Sequence, residues 1–220
     1  MESPVDAATA GNIAGSIVFE GTAPTMAVID MSEEAVCAAK HSSPAMVQEV
    51  VVNDNGTLAN VFVYVKEGLE NLEFPTPSTA VVLDQNGCVY GPHILGVMAG
   101  QDITFRNSDG LLHNISASPT VNRGFNIGQP VSMDTQRSFS SAEVMVPLQC
   151  SAHSWMNAYV GVLDHPYHSV SSASGAFSLS TLPPGDYVIE AWHETYGTQT
   201  QNVTVATGET TEVTFTFSAM

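Results

Sequence analysis

Residues able to do chemistry crowd into one stretch, QCSAHSWMNAYVGV (149–162), where Cys150, His153 and Met156 follow one another at a regular spacing of three. A thiolate, an imidazole and a thioether form a soft donor set, suited to copper rather than to oxygen-seeking cations. On a tight loop, the Cys-x2-His-x2-Met spacing lets all three side chains turn toward one point. A fourth donor has to arrive from elsewhere in the fold. His113, in NSDGLLHNI (107–115) after the strand-like Asp102–Phe105, is the best candidate. Two imidazoles, one thiolate and a weakly held axial thioether compose the trigonal site that carries single electrons. Other chemistries use the same residues less fully. Cys150 as an inert buried thiol with Met156 in the core needs no metal. Zinc accepts one Cys and two His, but a neighbouring Met adds nothing for it. A Cys150–His153 nucleophile pair is conceivable, yet one short loop offers no evident oxyanion site.

The elements that must position these residues read as strands. Apolar or alternating runs of strand length, rich in β-branched and aromatic residues, recur at Ile13–Phe19, Val47–Val52, Ala59–Val65, Ala80–Leu83, His93–Met98, Asp102–Phe105, Val144–Leu148, Ala158–Leu163, Ala176–Leu179, Asp186–Trp192, Gln201–Val205 and Thr211–Phe217. Turn formers separate them, at Asn53–Gly56, Asp84–Gly87, Asn107–Gly110 and Pro183–Gly185 among others. Only Met31–Lys40 predicts a helix, with Ser32 as N-cap, Glu33 and Glu34 in the first turn and Lys40 at the end. Short strands at regular intervals predict an all-β chain built as a sandwich or barrel. Met, Cys and His cluster before residue 165, and Ser/Thr-rich alternation follows it. The predicted organisation is therefore a polar tail (1–10), an N-terminal strand and short helix (11–44), a metal-bearing domain (45–163) and a smaller C-terminal module (164–220). The strand around Ile13–Phe19 has no evident partner in the metal-bearing part and is expected to pair with the C-terminal module.

Charge narrows the function classes. The chain of 220 residues carries a formal net charge of −17, with only 5 Lys plus Arg. It lacks the basic footprint that nucleic acid requires and is poorly suited to an anionic membrane surface. An acidic surface favours basic protein partners, and it also keeps a protein soluble. No apolar run approaches the ~20 residues of a membrane span. The opening MESPVDAATAG lacks the basic start and apolar centre of a signal peptide, so a signal is expected to be missing from this chain. No His-x-His pairs of the kind a multicopper oxidase needs are present.

With those residues in place, the stretch 45–163 resembles the cupredoxins, the type 1 blue copper proteins. Cys150-x2-His153-x2-Met156 is similar to the short ligand loop of their amicyanin- and plastocyanin-like members, and His113 is followed by Asn114 as in that family. The resemblance implies a Greek-key β-sandwich holding one type 1 copper per chain on His113, Cys150, His153 and Met156. Asn114 and Ser151 would link the two ligand segments. His153 would present its ring edge near solvent as the electron port, with Trp155, Leu111 and Leu112 as docking rim. It further implies redox protein partners, a basic cytochrome or oxidase among them, and a periplasmic, extracellular or cell-surface location. The remainder resembles a carboxypeptidase regulatory-like β-sandwich of prealbumin type, through G-x-F-x-L-x-x-L-P-P-G-x-Y at Gly175, Phe177, Leu179, Leu182, Pro183, Pro184, Gly185 and Tyr187. That module is not a peptidase. A copper carrier or store, or a surface or assembly protein whose C-terminal sandwich is the working part, would use the same sequence differently.

Three cysteines leave a pair once Cys150 is assigned. A Cys37–Cys88 disulfide would pin the N-terminal segment to the sandwich and point to an oxidising compartment; two free buried thiols are the alternative. His165, His168, His193 and Glu194 form a second candidate metal cluster, set against the plainer reading of structural histidines.

Overall fold

The computed structural model describes residues 3–219; the first two residues of the expected polar tail lie outside them. The chain is all-β but for one short helix. In chain order the elements are β1 (Gly11–Glu20), α1 (Ala35–Ala38), β2 (Phe62–Glu67), β3 (Val81–Gln85), β4 (Tyr90–Gly91), β5 (Ile94–Met98), β6 (Ile103–Asn107), β7 (His113–Ala117), β8 (Phe125–Gln129), β9 (Met133–Arg137), β10 (Glu143–Gln149), β11 (Asn157–Leu163), β12 (His168–Val170), β13 (Ala176–Leu182), β14 (Gly185–His193), β15 (Gly197–Val205) and β16 (Thr210–Ser218). Among the described residues no helix is long and apolar enough to cross a membrane.

Two compact units emerge, and their boundaries differ from those read off the sequence. The first comprises Met1–Thr25, Glu49–Pro75 and His165–Met220; the second comprises Met26–Gln48 and Thr76–Asp164. The stretch 49–75, assigned by sequence to the metal-bearing domain, thus lies in the first unit, because β2 pairs with β12 and β14. Segment 26–48 lies in the second. The composition shift near residue 165 marks only one of the crossings between units.

In the first unit, β1 runs antiparallel to β13 and parallel to β16, forming the sheet β13-β1-β16; the other sheet is β12-β2-β14-β15. Alternation along TTEVTFTFS buries Val213, Phe215 and Phe217 on one face of β16. Across the sheets, the His193 ring lies 6.1 Å from that of Phe217. Gly15 is required by its place between two strands: a Cβ there would stand 1.9 Å from the Val213 carbonyl oxygen and 2.8 Å from the Phe177 ring.

The second unit is a sandwich of the sheets β5-β11-β10-β7-β8 and β4-β3-β6-β9. Leu83, Ile103 and Phe105 from one sheet and Ile115, Val146, Leu148, Val160 and Val162 from the other bury into a single apolar cluster. Met31, Cys37, Cys88, Cys150 and Met156 join that cluster. Helix α1 is shorter than the expected Met31–Lys40, and Ser32 does not cap it. Asp30 Oδ1 accepts the Ser32 N–H at 3.0 Å, the N-cap position falls to Glu34, and no side chain caps there. The run Val47–Val52 forms no strand, only the isolated bridge of Val52 with Leu58.

Glu143 at the start of β10 holds the loop before β8. Its carboxylate accepts the backbone N–H groups of Thr120, Val121 and Asn122 and the side chains of Thr120 and Asn122. Burial alone would raise this carboxyl, but the donors outweigh it and hold it down at about 2. A depressed carboxylate stabilises the fold above its unfolded value, and that stability is lost as pH falls toward the folded one. Glu143→Gln should therefore lower the Tm at neutral pH. The gap to the native chain should close as pH drops from about 4 to about 2, as read by thermal melts across that range.

Candidate metal centre

The loop 150–156 joins β10 to β11, whose last pairing is Gln149 with Asn157. Two backbone bonds close it: Cys150 N–H to the Met156 carbonyl at 3.0 Å, and Met156 N–H to the His153 carbonyl at 3.0 Å. His113 is the first residue of β7, and β7 lies beside β10 through the pairs Ala117–Leu148 and Ser116–Gln149. Beyond those pairs the backbone ladder stops and the Asn114 carboxamide takes over. Its Oδ1 accepts the Ser151 N–H at 2.6 Å, and its Nδ2 donates to Ser151 Oγ at 3.2 Å and Asn126 Oδ1 at 2.8 Å. The Cys150 thiol lies 3.4 Å from the same Oδ1.

These supports bring the imidazoles together. Nδ1 of His113 lies 3.0 Å from Nδ1 of His153, and Cys150 Sγ lies 3.9 Å from the latter. The donor atoms of His113, Cys150 and His153 all fall within 4.8 Å of one another. All three residues are buried, as is Met156 on the same loop. Nitrogens each bound about 2 Å from one ion stand roughly 3–3.5 Å apart. The spacing and the soft donor chemistry therefore fit a single copper ion.

Asp109, whose side chain is buried, organises the far side of His113. Its Oδ2 faces His113 Nε2 at 2.9 Å and its Oδ1 faces Lys40 Nζ at 3.1 Å. The backbone N–H groups of Gly87 and Cys88 donate to it at 2.7 Å each. Gly87 (φ 69°) and Cys88 (φ 55°) are both left-handed, which turns successive N–H groups toward one anion. Burial would raise the Asp109 carboxyl, but these donors hold it below the usual carboxylate range. Burial likewise opposes charge on His113, yet the Cys150 sulfur and Asp109 raise the imidazole above its ordinary value. For Cys150, burial pushes the thiol up, while His113, the Asn114 amide and His153 outweigh it and bring it down to about 6.

Cys37 and Cys88 form a disulfide, with Cα atoms 5.5 Å apart across a sequence separation of 51. Cys37 Sγ sits 3.7 Å from His153 Nε2. The Trp155 ring lies 5.1 Å from that of His153, tilted by 52°, and donates its Nε1–H to the Cys88 carbonyl at 2.9 Å. The ring edge of His153 is not near solvent as expected. His153 is only 5% exposed, because the disulfide and Trp155 cover the ring edge that was expected near solvent. Of the expected docking rim, Leu111 packs against the core and Trp155 is half-buried, while Leu112 is 57% exposed. Leu112 borders a concavity shared with Asn114, Asn126, Gly128, Ser151 and Ala152.

The second histidine cluster does not assemble: among the described residues no candidate metal group includes His165, His168, His193 or Glu194. His165 Nε2 bonds the Val65 carbonyl at 2.8 Å, His168 stacks on Phe62, and His193 stacks on Tyr196. Sequence reasoning missed Asp109 and Lys40. Asp109 stands inside the turn-forming NSDG, which masked it as a carboxylate partner; its signal was its position four residues before His113.

A family model described as "Carboxypeptidase regulatory-like domain" matches residues 154–218, which include the Gly175–Tyr187 pattern. The match begins ahead of the third segment of the first unit, which starts at His165. No curated protein matches the chain. Among solved structures, an oxidised amicyanin mutant is similar at 25% identity and TM-score 0.33, covering 38% of this chain and 81% of that one. A purple cupredoxin from Nitrosopumilus maritimus is similar at 20% identity and TM-score 0.32, covering 39% and 99%. A Cu-containing nitrite reductase from Thermus scotoductus is similar at 14% identity and TM-score 0.36, covering 68% of this chain and 28% of the enzyme.

Two outcomes test the cover over His153. Replacing Cys37 and Cys88 together by Ala should cost up to about 4 kcal/mol on the loop-entropy model, read by chemical denaturation. The same variant should speed modification of His153 by diethyl pyrocarbonate, read site by site by mass spectrometry; an unchanged rate would show that the disulfide does not shield the ring.

Proposed function

We propose that the second unit is a mononuclear copper module that passes single electrons between protein partners and has no chemical substrate of its own. His113, Cys150, His153 and Met156 would be the ligands of one type 1 copper per chain. The observation that carries this reading is the convergence of two imidazole Nδ1 atoms and one cysteine sulfur at a buried point, on a loop that also bears Met156. Bound copper supplies one-electron chemistry by alternating between Cu(I) and Cu(II), and thiolate with weak thioether ligation tunes its potential.

The chain's own residues do the rest. The closed loop 150–156 and the start of β7 hold the donors in one geometry, so little rearrangement accompanies a change of charge. Cys150 is readily presented as thiolate, the form a metal requires. Asn114 keeps the loop against β7 through Ser151. The apolar cluster around Cys150 and Met156 excludes water. With His153 covered, the open approach is the concavity beside Ser151 and Asn114, where Leu112 offers an apolar contact. A net charge of −17 favours a basic redox partner such as a cytochrome or an oxidase. The Cys37–Cys88 disulfide supports an extracytoplasmic setting, periplasmic or at the cell surface.

Adding Cu(II) to the chain should give an intense red-region absorption from thiolate-to-copper charge transfer, at one copper per chain. Cys150→Ser should abolish it, and His113→Ala should weaken or shift it. A weak spectrum that ignores Cys150→Ser would overturn the reading. Fast electron self-exchange would separate an electron carrier from a protein that merely transports or stores the ion.

A further inference from the structure

The ligand set described above is completed by a charge arrangement that lies outside it. The Asp109 side chain has no exposed surface, and its two oxygens divide their work. Oδ2 faces His113 Nε2 at 2.9 Å, and Oδ1 faces Lys40 Nζ at 3.1 Å. Each oxygen also accepts one backbone N–H, from Cys88 and Gly87 respectively. A carboxylate so placed accepts a proton-bearing Nε2, which leaves the lone pair of His113 on Nδ1. That atom is the one facing His153 Nδ1 at 3.0 Å. Lys40 comes from segment 26–48, the same segment that carries Cys37.

We propose that Asp109 is a positioning residue of the metal centre: it fixes the tautomer and orientation of His113, and its negative charge favours the more highly charged state of a bound ion, an influence that Lys40 partly offsets. This rests on the copper reading for its redox half and on geometry alone for its tautomer half. A carboxylate behind a ligating imidazole raises the donor strength of the ring and fixes which nitrogen carries the proton. An Asn at 109 would turn an N–H toward Nε2. The ring would then favour the Nδ1–H form, which points a proton into the donor cluster. Lys40 acts with the opposite sign, and more weakly, because its side chain is 29% exposed and so partly screened.

The test uses the full chain. In the metal-free protein, at a pH where the His113 ring is neutral, long-range 1H–15N correlation should show it as the Nε2–H tautomer, and Asp109→Asn should convert it to a mixture or to the Nδ1–H form. With copper alone as the added ligand, Asp109→Asn should lower Cu(II) affinity by about 10–100-fold, lower Cu(I) affinity less, and so raise the reduction potential. Lys40→Met should lower the potential, and Lys40→Arg should restore it. A purely structural role would move both variants the same way, in step with their loss of Tm. The proposal is overturned if Asp109→Asn leaves the His113 tautomer unchanged, or if Asp109→Asn and Lys40→Met shift the potential in the same direction. If the native chain shows no thiolate-to-copper band, the copper reading fails, and the tautomer measurement still decides the role of Asp109.

Discussion

One carboxamide stands where a sheet runs out. β7 and β10 share only two paired positions, Ala117 with Leu148 and Ser116 with Gln149, and everything chemically interesting lies beyond them. Past that point the chains must diverge to make room for side chains between them, so backbone bonding cannot continue. Asn114 supplies the missing rungs, accepting from the Ser151 backbone and donating to its hydroxyl. Buried amide groups left unpaired cost about 1–3 kcal/mol each, so the loop has good reason to stay where this side chain puts it. The distance between His113 and Cys150 is set by that constraint, and the shared geometry of the donors follows from it.

The site was legible to the extent that its parts lie close in sequence. Cys150, His153 and Met156 could be read together because one loop carries them, and the soft character of the set pointed to a metal-binding role. The pairing of Asn114 with Ser151 was implied by family resemblance and is present in the structure. What escaped notice comes from far along the chain. The cover over His153 is built by Cys37, 116 residues away, and nothing in the local sequence distinguishes a buried loop histidine from an exposed one. Asp109 was hidden for a different reason: a turn of Asn, Ser, Asp and Gly explains itself, so its acidic member attracts no further question.

The strands divide along the same line. Many of those with buried faces were readable from their apolar alternation, as in Thr210–Ser218; β7 was not, because its buried residues include the polar His113 and Asn114. β9, with the sequence MDTQR and almost no buried surface, carries too little apolar signal to be read as a strand; its pairing with β6 defines it instead. The reverse error occurred at Val47–Val52. There apolar residues suggested a strand, yet Val50 is buried by its surroundings without a ladder of its own. Hydrophobic pattern reports burial, and burial is not always achieved through a sheet.

The parallel pairing of β1 with β16 joins segments 198 positions apart, Asn12 with Thr210. A ribosome delivers β1 long before β16. The second unit has all of its residues by Asp164, whereas β1 waits, its central position unfilled on both flanks, until β13 and then β16 emerge. During that interval β1 is an unprotected edge of the kind that recruits foreign strands. Interrupted translation or clipping that removes β16 therefore exposes the nascent chain to aggregation through β1, even when the second unit has already closed.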